Sequence, residues 1–168
     1  MDFLVTHFAE ILFYALATLT VAGAVGVVTL RNPVHAALSL LFTFVMVAAL
    51  FVLRHAEFLA AVQVLVYVGA ISVLIILAIM MTREVQQGSP NSRFQIPAFI
   101  VAILFLEVLV LTLTNTPWPI SGIMPTAPTT SALANSLFGE GGYLLPVEIG
   151  AVLLLSAILG AIVLAREK

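Results

Sequence analysis

AEFLAAVQVLVYVGAISVLIILAIMMT, residues Ala56 to Thr82, is long enough to cross a bilayer as one helix. Gln63, Tyr67, Gly69 and Ser72 stand at or near its middle, and the acid Glu57 stands at its entrance. An unpaired polar group in hydrocarbon costs several kcal/mol, so a helix that only anchored a protein has little reason to place an amide, a phenol and a hydroxyl there. These groups are expected to face protein or water. That predicts a helix inside a larger membrane assembly, on a pathway rather than beside one.

Composition fixes the class. Hydrophobic residues make up 62% of the 168 and charged residues 8%, with a mean hydropathy of +1.23. A soluble domain carries about a quarter of its residues charged. The chain is therefore read as an all-α integral membrane protein, a single membrane domain over residues 1–168. Cysteine is absent, which excludes a disulfide, a thiolate metal site or an iron–sulfur cluster built from this chain. Net charge is −2 and the six basic residues form no run, so nucleic-acid binding has no electrostatic footprint. No Gly-rich phosphate loop follows a strand, and the three histidines form no metal-ligand helix motif. Met1-Asp2-Phe3 lacks a basic n-region, so the first apolar segment is expected to stay in the membrane.

At about 20 apolar residues per crossing, five segments qualify: Phe8–Leu30, Val34–Leu53, Phe58–Met81, Ile96–Leu113 and Leu144–Ala165. Arg31-Asn32-Pro33 is so tight that the first two helices must form an antiparallel hairpin. Arg54-His55 is nearly as short, Thr82–Gln95 reads as a polar turn, and Asn115–Tyr143 is the one long link. Within that link, Thr129–Phe138 is compatible with a surface helix that has Leu133, Leu137 and Phe138 on one face and Gly139 ending it. An irregular loop is the alternative. With the amino end outside (periplasmic) and the carboxyl end cytoplasmic, the inner side receives Arg31, Arg83, Arg93, Arg166 and Lys168, and the outer side only Arg54. The positive-inside bias favours that orientation.

Among the intramembrane polar residues, Glu107 sits near the centre of the fourth segment. An acid there costs about 2.5–3.5 kcal/mol for insertion, and each Leu, Ile, Val or Phe returns about 0.3–0.6. Thirteen such residues in Ile96–Leu113 offset it. Glu107 is either a proton-relay site or a protonated acid hydrogen-bonded to a neighbouring subunit. Glu148, after Pro146, suits the start of the last helix, where the dipole favours an acid; Glu57 and Glu10 have the same bland reading. His35 reads as an interfacial hydrogen-bonding residue. Tyr67 and Gly69 allow two readings: a π-bulge over Val66-Tyr67-Val68-Gly69, or a small-residue packing face of Gly69, Ala70 and Ser72. Ala22/Gly26 and Ser156/Gly160 have ordinary small-residue contact spacing.

Asn32-Pro33-Val34-His35-Ala36 resembles the opening of helix two in chain J of bacterial NADH-quinone oxidoreductase (respiratory complex I), the family that includes mitochondrial NADH dehydrogenase subunit six. Val64-Leu65-Val66-Tyr67-Val68-Gly69-Ala70-Ile71, with the run ending Met80-Met81, is similar to that family's third helix. Leu137-Phe138-Gly139 and then Leu145-Pro146-Val147-Glu148 resemble the approach to its last one. The resemblance covers most of the chain in order.

It implies a five-helix membrane-arm subunit of a proton pump in the bacterial cytoplasmic (inner) membrane. Its expected partners are the quinone-site subunit, small three-helix subunits and antiporter-like subunits. No cofactor would be bound by this chain; NADH, FMN, iron–sulfur clusters and quinone belong to other subunits. In the family, a π-bulge at the tyrosine of helix three changes to regular helix and gates a water path between quinone chemistry and the antiporter-like subunits. Carried over, Tyr67, Val68 and Gly69 form the switch and Glu148 is the matching acid of the last helix. Glu57, Gln63, Ser72 and Glu107 complete the set of polar or proton-path candidates. Some members have a glutamate where Gln63 stands, so a titrating role does not transfer there, and Glu107 matches no family position. Rival readings are the equivalent subunit of a membrane-bound hydrogenase or other donor:quinone complex, a stand-alone antiporter component, and a pure scaffold.

Overall fold

A computed structural model describes residues 2–82, 94–118 and 129–166. Most of the expected polar turn, with Arg83 and Arg93, lies outside the described residues, as do 119–128 and Lys168. The described residues hold helices and no strand. They are α1 (Asp2–Thr29), α2 (Pro33–Leu53), α3 (Glu57–Met81), α4 (Gln95–Asn115), the short α5 (Thr129–Phe138) and α6 (Leu144–Ala165). Five of these are long and apolar enough to cross a membrane, and the chain is a multi-pass membrane protein. The expected spans agree within a few residues, and Leu144–Ala165 agrees at both ends. The Thr129–Phe138 stretch of the long link is helical, and Gly139 donates its N–H to the Asn135 carbonyl at 2.8 Å where that helix ends.

Local chemistry explains the two tight corners. Asn32 is the N-cap of α2: its backbone is extended, its Oδ1 accepts from the Val34 N–H at 2.9 Å, and Pro33 fills the first turn, where a missing N–H costs nothing. At the far end, the Ala56 N–H bonds the Phe51 carbonyl at 2.9 Å and the His55 N–H bonds that of Val52 at 3.0 Å. This is a Schellman closure, with His55 at φ 57° in the left-handed position usually taken by glycine. The Arg54 guanidinium lies over the Phe13 ring, 5.8 Å from its centroid, and Thr129 Oγ1 donates to the His55 carbonyl at 3.1 Å. The same corner thereby ties α1 and α5 to the α2–α3 turn.

α2 is the middle of a three-helix core, packed on α1 along one side and on α3 along another. The α1 contact is close because Gly23 and Gly26 leave no side chain where Thr43 and Ser39 sit. A Cβ on Gly26 would overlap Ser39 Oγ, and the Ser39 hydroxyl donates to the Gly23 carbonyl at 2.8 Å. The expected Ala22/Gly26 pair is therefore corrected to Gly23/Gly26: Ala22 is exposed and Gly23 buried. Among the described residues, the buried side chains (Ala37, Thr43, Ala48, Ala60, Gln63 and Ser72) all lie on α2 or α3. Neither α4 nor α6 has a described residue that the rest of the chain buries, and α6 meets the short α5. Ser156 and Gly160 are likewise exposed on α6, and a Cβ on Gly160 would meet nothing within 4 Å.

Candidate functional site

α3 is not one regular helix. Glu57–Val62 and Ser72–Met81 are α-helical, and the nine residues between them, Gln63–Ile71, wind as a π-helix. That stretch contains Val66, Tyr67, Val68 and Gly69 and is longer than a single-turn bulge. Its composition weakens the alternative: Val64, Val66, Val68 and Ile71 are β-branched and Gly69 has the poorest α propensity after proline, so the α ladder's intrinsic advantage is smallest here. At the exit, the Ser72 N–H bonds the Tyr67 carbonyl, five residues back. The Ser72 hydroxyl, 2% exposed, donates to the same oxygen at 2.8 Å. Helical hydroxyls elsewhere, such as Thr43 to Ser39 and Thr112 to Val108, reach four residues back. Ser72 therefore follows the wider register with both of its donors.

Two side chains of the π segment converge on one residue of α2. Gln63, 8% exposed, points its Nε2 at the Phe44 carbonyl, a long contact of 3.5 Å. The Tyr67 ring meets the Phe44 ring edge to face, with centroids 5.5 Å apart and planes at 70°. Tyr67 is not enclosed by its own chain, however: it is 42% exposed. Gly69 and Ala70 are also exposed while Ser72 is buried, so the three do not form one packing face within this chain. A Cβ on Gly69 would meet only the Val64 carbonyl, at 3.4 Å. The missing side chain thus leaves the outer face of the π segment open and makes no room for a helix of this chain.

The other acids are not brought to this place. Glu57 lies exposed in the first turn of α3. Glu148 lies exposed just beyond the first turn of α6, and Glu107 is exposed midway along α4; neither helix packs on the π segment. Glu107 has no hydrogen-bond or ion-pair partner among the described residues. Phe44, one of eleven phenylalanines, carried no signal in the sequence. The Gly23/Gly26 and Ser39/Thr43 spacings did carry one, since each pair lies on a single helix face.

Residues 23–164 match the family described as NADH-ubiquinone/plastoquinone oxidoreductase chain 6. The chain is similar to NAD(P)H-quinone oxidoreductase chain 6 of Leptolyngbya boryana, at 39% identity over 93% of this chain and 79% of that one. It is 36% identical to F(420)H(2) dehydrogenase subunit J of Methanosarcina mazei, over 93% and 90% of the two chains. It is 40% identical to the chloroplastic NAD(P)H-quinone oxidoreductase subunit 6 of Nephroselmis olivacea, over 92% and 90%.

Proposed function

This chain belongs to the NADH-ubiquinone/plastoquinone oxidoreductase chain 6 family, and we propose that it is a membrane-arm subunit of a proton-translocating NADH-quinone oxidoreductase in which α3 acts as a conformational gate. As a subunit it is part of an oxidoreductase complex, while NADH, FMN, iron–sulfur clusters and quinone are held by other subunits. Relatives named for NAD(P)H and for F(420)H(2) share its sequence over most of its length. A chain that holds no redox centre is compatible with either donor. The basic-residue asymmetry supports an amino end outside and a carboxyl end in the cytoplasm of a bacterial inner membrane.

The observation that carries the gate is the π winding of Gln63–Ile71 around Tyr67, Val68 and Gly69. Two registers of one helix separated by a few kcal/mol respond to any neighbouring motion that contacts one register better than the other. Quinone-linked movement in an adjacent subunit would be such a motion, and the open face at Gly69 and Ala70 is where it would be felt. Leucine favours α-helix over glycine by about 0.8 kcal/mol, a population shift of about fourfold. Gly69→Leu is therefore expected to lower the number of protons pumped per electron in the assembled complex while quinone reduction continues. A parent ratio of protons to electrons in fully assembled Gly69→Leu complex would remove the gate.

Glu107 is read separately, as an acid hydrogen-bonded to a helix of a neighbouring subunit, because α4 supplies it with nothing and its depth makes lipid exposure costly. Glu107→Gln is expected to keep both assembly and pumping, and Glu107→Leu to lower the yield of intact complex. Loss of pumping in an assembled Glu107→Gln complex would make it a proton relay instead.

A further inference from the structure

We propose that Phe44 of α2 is the positioning residue that clamps α3 in its π register; the clamp acts on the gate just described, and its effect on coupling rests on that reading. Phe44 holds the π segment at two points. Its carbonyl takes the Gln63 amide at 3.5 Å and its ring meets that of Tyr67 edge to face with centroids 5.5 Å apart. Gln63 and Tyr67 are four residues apart, which on an α-helix sets them about 40° apart around the axis. The wider π turn spaces the same two residues differently. Both reach one α2 residue in the π form, and conversion turns Tyr67 relative to Gln63, so the two cannot keep this same pair of contacts with Phe44.

The flanks make this a choice between registers instead of a slide. Ala60 before the segment and Ser72 after it are buried at 6% and 2% exposure, so neither end is free to turn without losing its packing. The stretch between them absorbs the change, and Tyr67 lies inside that stretch. Its outward side is open, 42% exposed, so within this chain the Phe44 ring is what the phenol ring would leave. An edge-to-face pair contributes about 0.5–1.5 kcal/mol beyond the area it buries. That is the size of bias needed to favour one of two nearly balanced registers without locking it. Phe44 touches neither quinone nor protons in this scheme; it acts only through α3.

The test places 3-fluorotyrosine at position 67 in the assembled complex and measures the share of the α register by 19F saturation transfer, which reaches minor states exchanging on the μs–ms timescale. Populations are compared, because the shift itself changes when a ring is removed. Phe44→Leu, which keeps apolar bulk, is expected to raise the α share about fivefold, equivalent to ~1 kcal/mol. Phe44→Tyr, which keeps the ring, is expected to match the parent. An α share in Phe44→Leu equal to the parent's overturns the clamp, and so does a Phe44→Tyr complex that behaves like Phe44→Leu. If the share rises as expected but protons per electron stay at the parent value, the clamp stands and the gate reading fails.

Discussion

Gly26→Leu is expected to leave less than about a tenth of the parent amount of assembled complex, a deficit of at least ~1.4 kcal/mol. A Cβ at position 26 would overlap Ser39 Oγ, and Ser39 cannot simply turn away, because its hydroxyl is held by the Gly23 carbonyl at 2.8 Å. One helix turn along, Gly23 faces Thr43 as closely, with Phe42 beside it. A leucine at 26 therefore pushes α1 off α2 along both contacts. Overpacking of this kind costs about 1–3 kcal/mol, and the interhelical hydrogen bond adds about 0.6. Apolar association between membrane helices has little else to offset that loss, since lipid tails are as apolar as leucine. Because α2 also carries Phe44, the displacement would disturb the π segment as well. Native gels and subunit composition after mild detergent extraction measure the result. A parent yield of complex would mean that the α1–α2 contact is not needed for assembly.

What could be read from residues alone follows from which physical signals are one-dimensional. Span length is such a signal, so the apolar runs mark both ends of Leu144–Ala165 and the other crossings to within a few residues. The cap at Asn32-Pro33 is another, because it joins residue type to position over one turn. Contacts between helices are not. Ala22/Gly26 and Gly23/Gly26 differ by one residue, and only the rotation of α1 against α2 selects the second. Phe44 could not be found, because nothing local distinguishes the phenylalanine that meets Tyr67 from the chain's other ten. Nor could the apolar runs of α4 and α6 reveal that the described residues of these helices are left unburied by their own chain. A helix hydrophobic all round looks the same whether its neighbour is lipid, its own chain or another subunit. Glu107 is the exception on α4, since a mid-depth acid asks for a partner that none of the described residues supplies.

Deleting Val68 alone is expected to uncouple the complex without taking it apart. In the π segment the Ser72 N–H and hydroxyl both bond the Tyr67 carbonyl, five residues back. With one residue removed between them, Ser72 stands four residues after Tyr67, and the same donor and acceptor form an ordinary α-helical bond. The residues beyond keep their present direction, because the deletion removes the surplus residue that the π turn accommodates. Ser72 stays against the core, where it is 2% exposed. Deleting Ala78 from the regular α-helical part of α3 makes the contrast. That change turns everything after it by about 100°, with no widened turn at that point to absorb it, and is expected to reduce assembly. The Val68 deletion should therefore give an intact complex that reduces quinone but pumps fewer protons per electron than Gly69→Leu, since that substitution biases the register where the deletion fixes it. Proton uptake by vesicles, measured beside quinone reduction in the same preparation, gives the ratio directly. If α3 is regular helix throughout and the ratio equals the parent's, winding at Tyr67 has no part in coupling, and the π segment is only a way of packing valines and a glycine against α2.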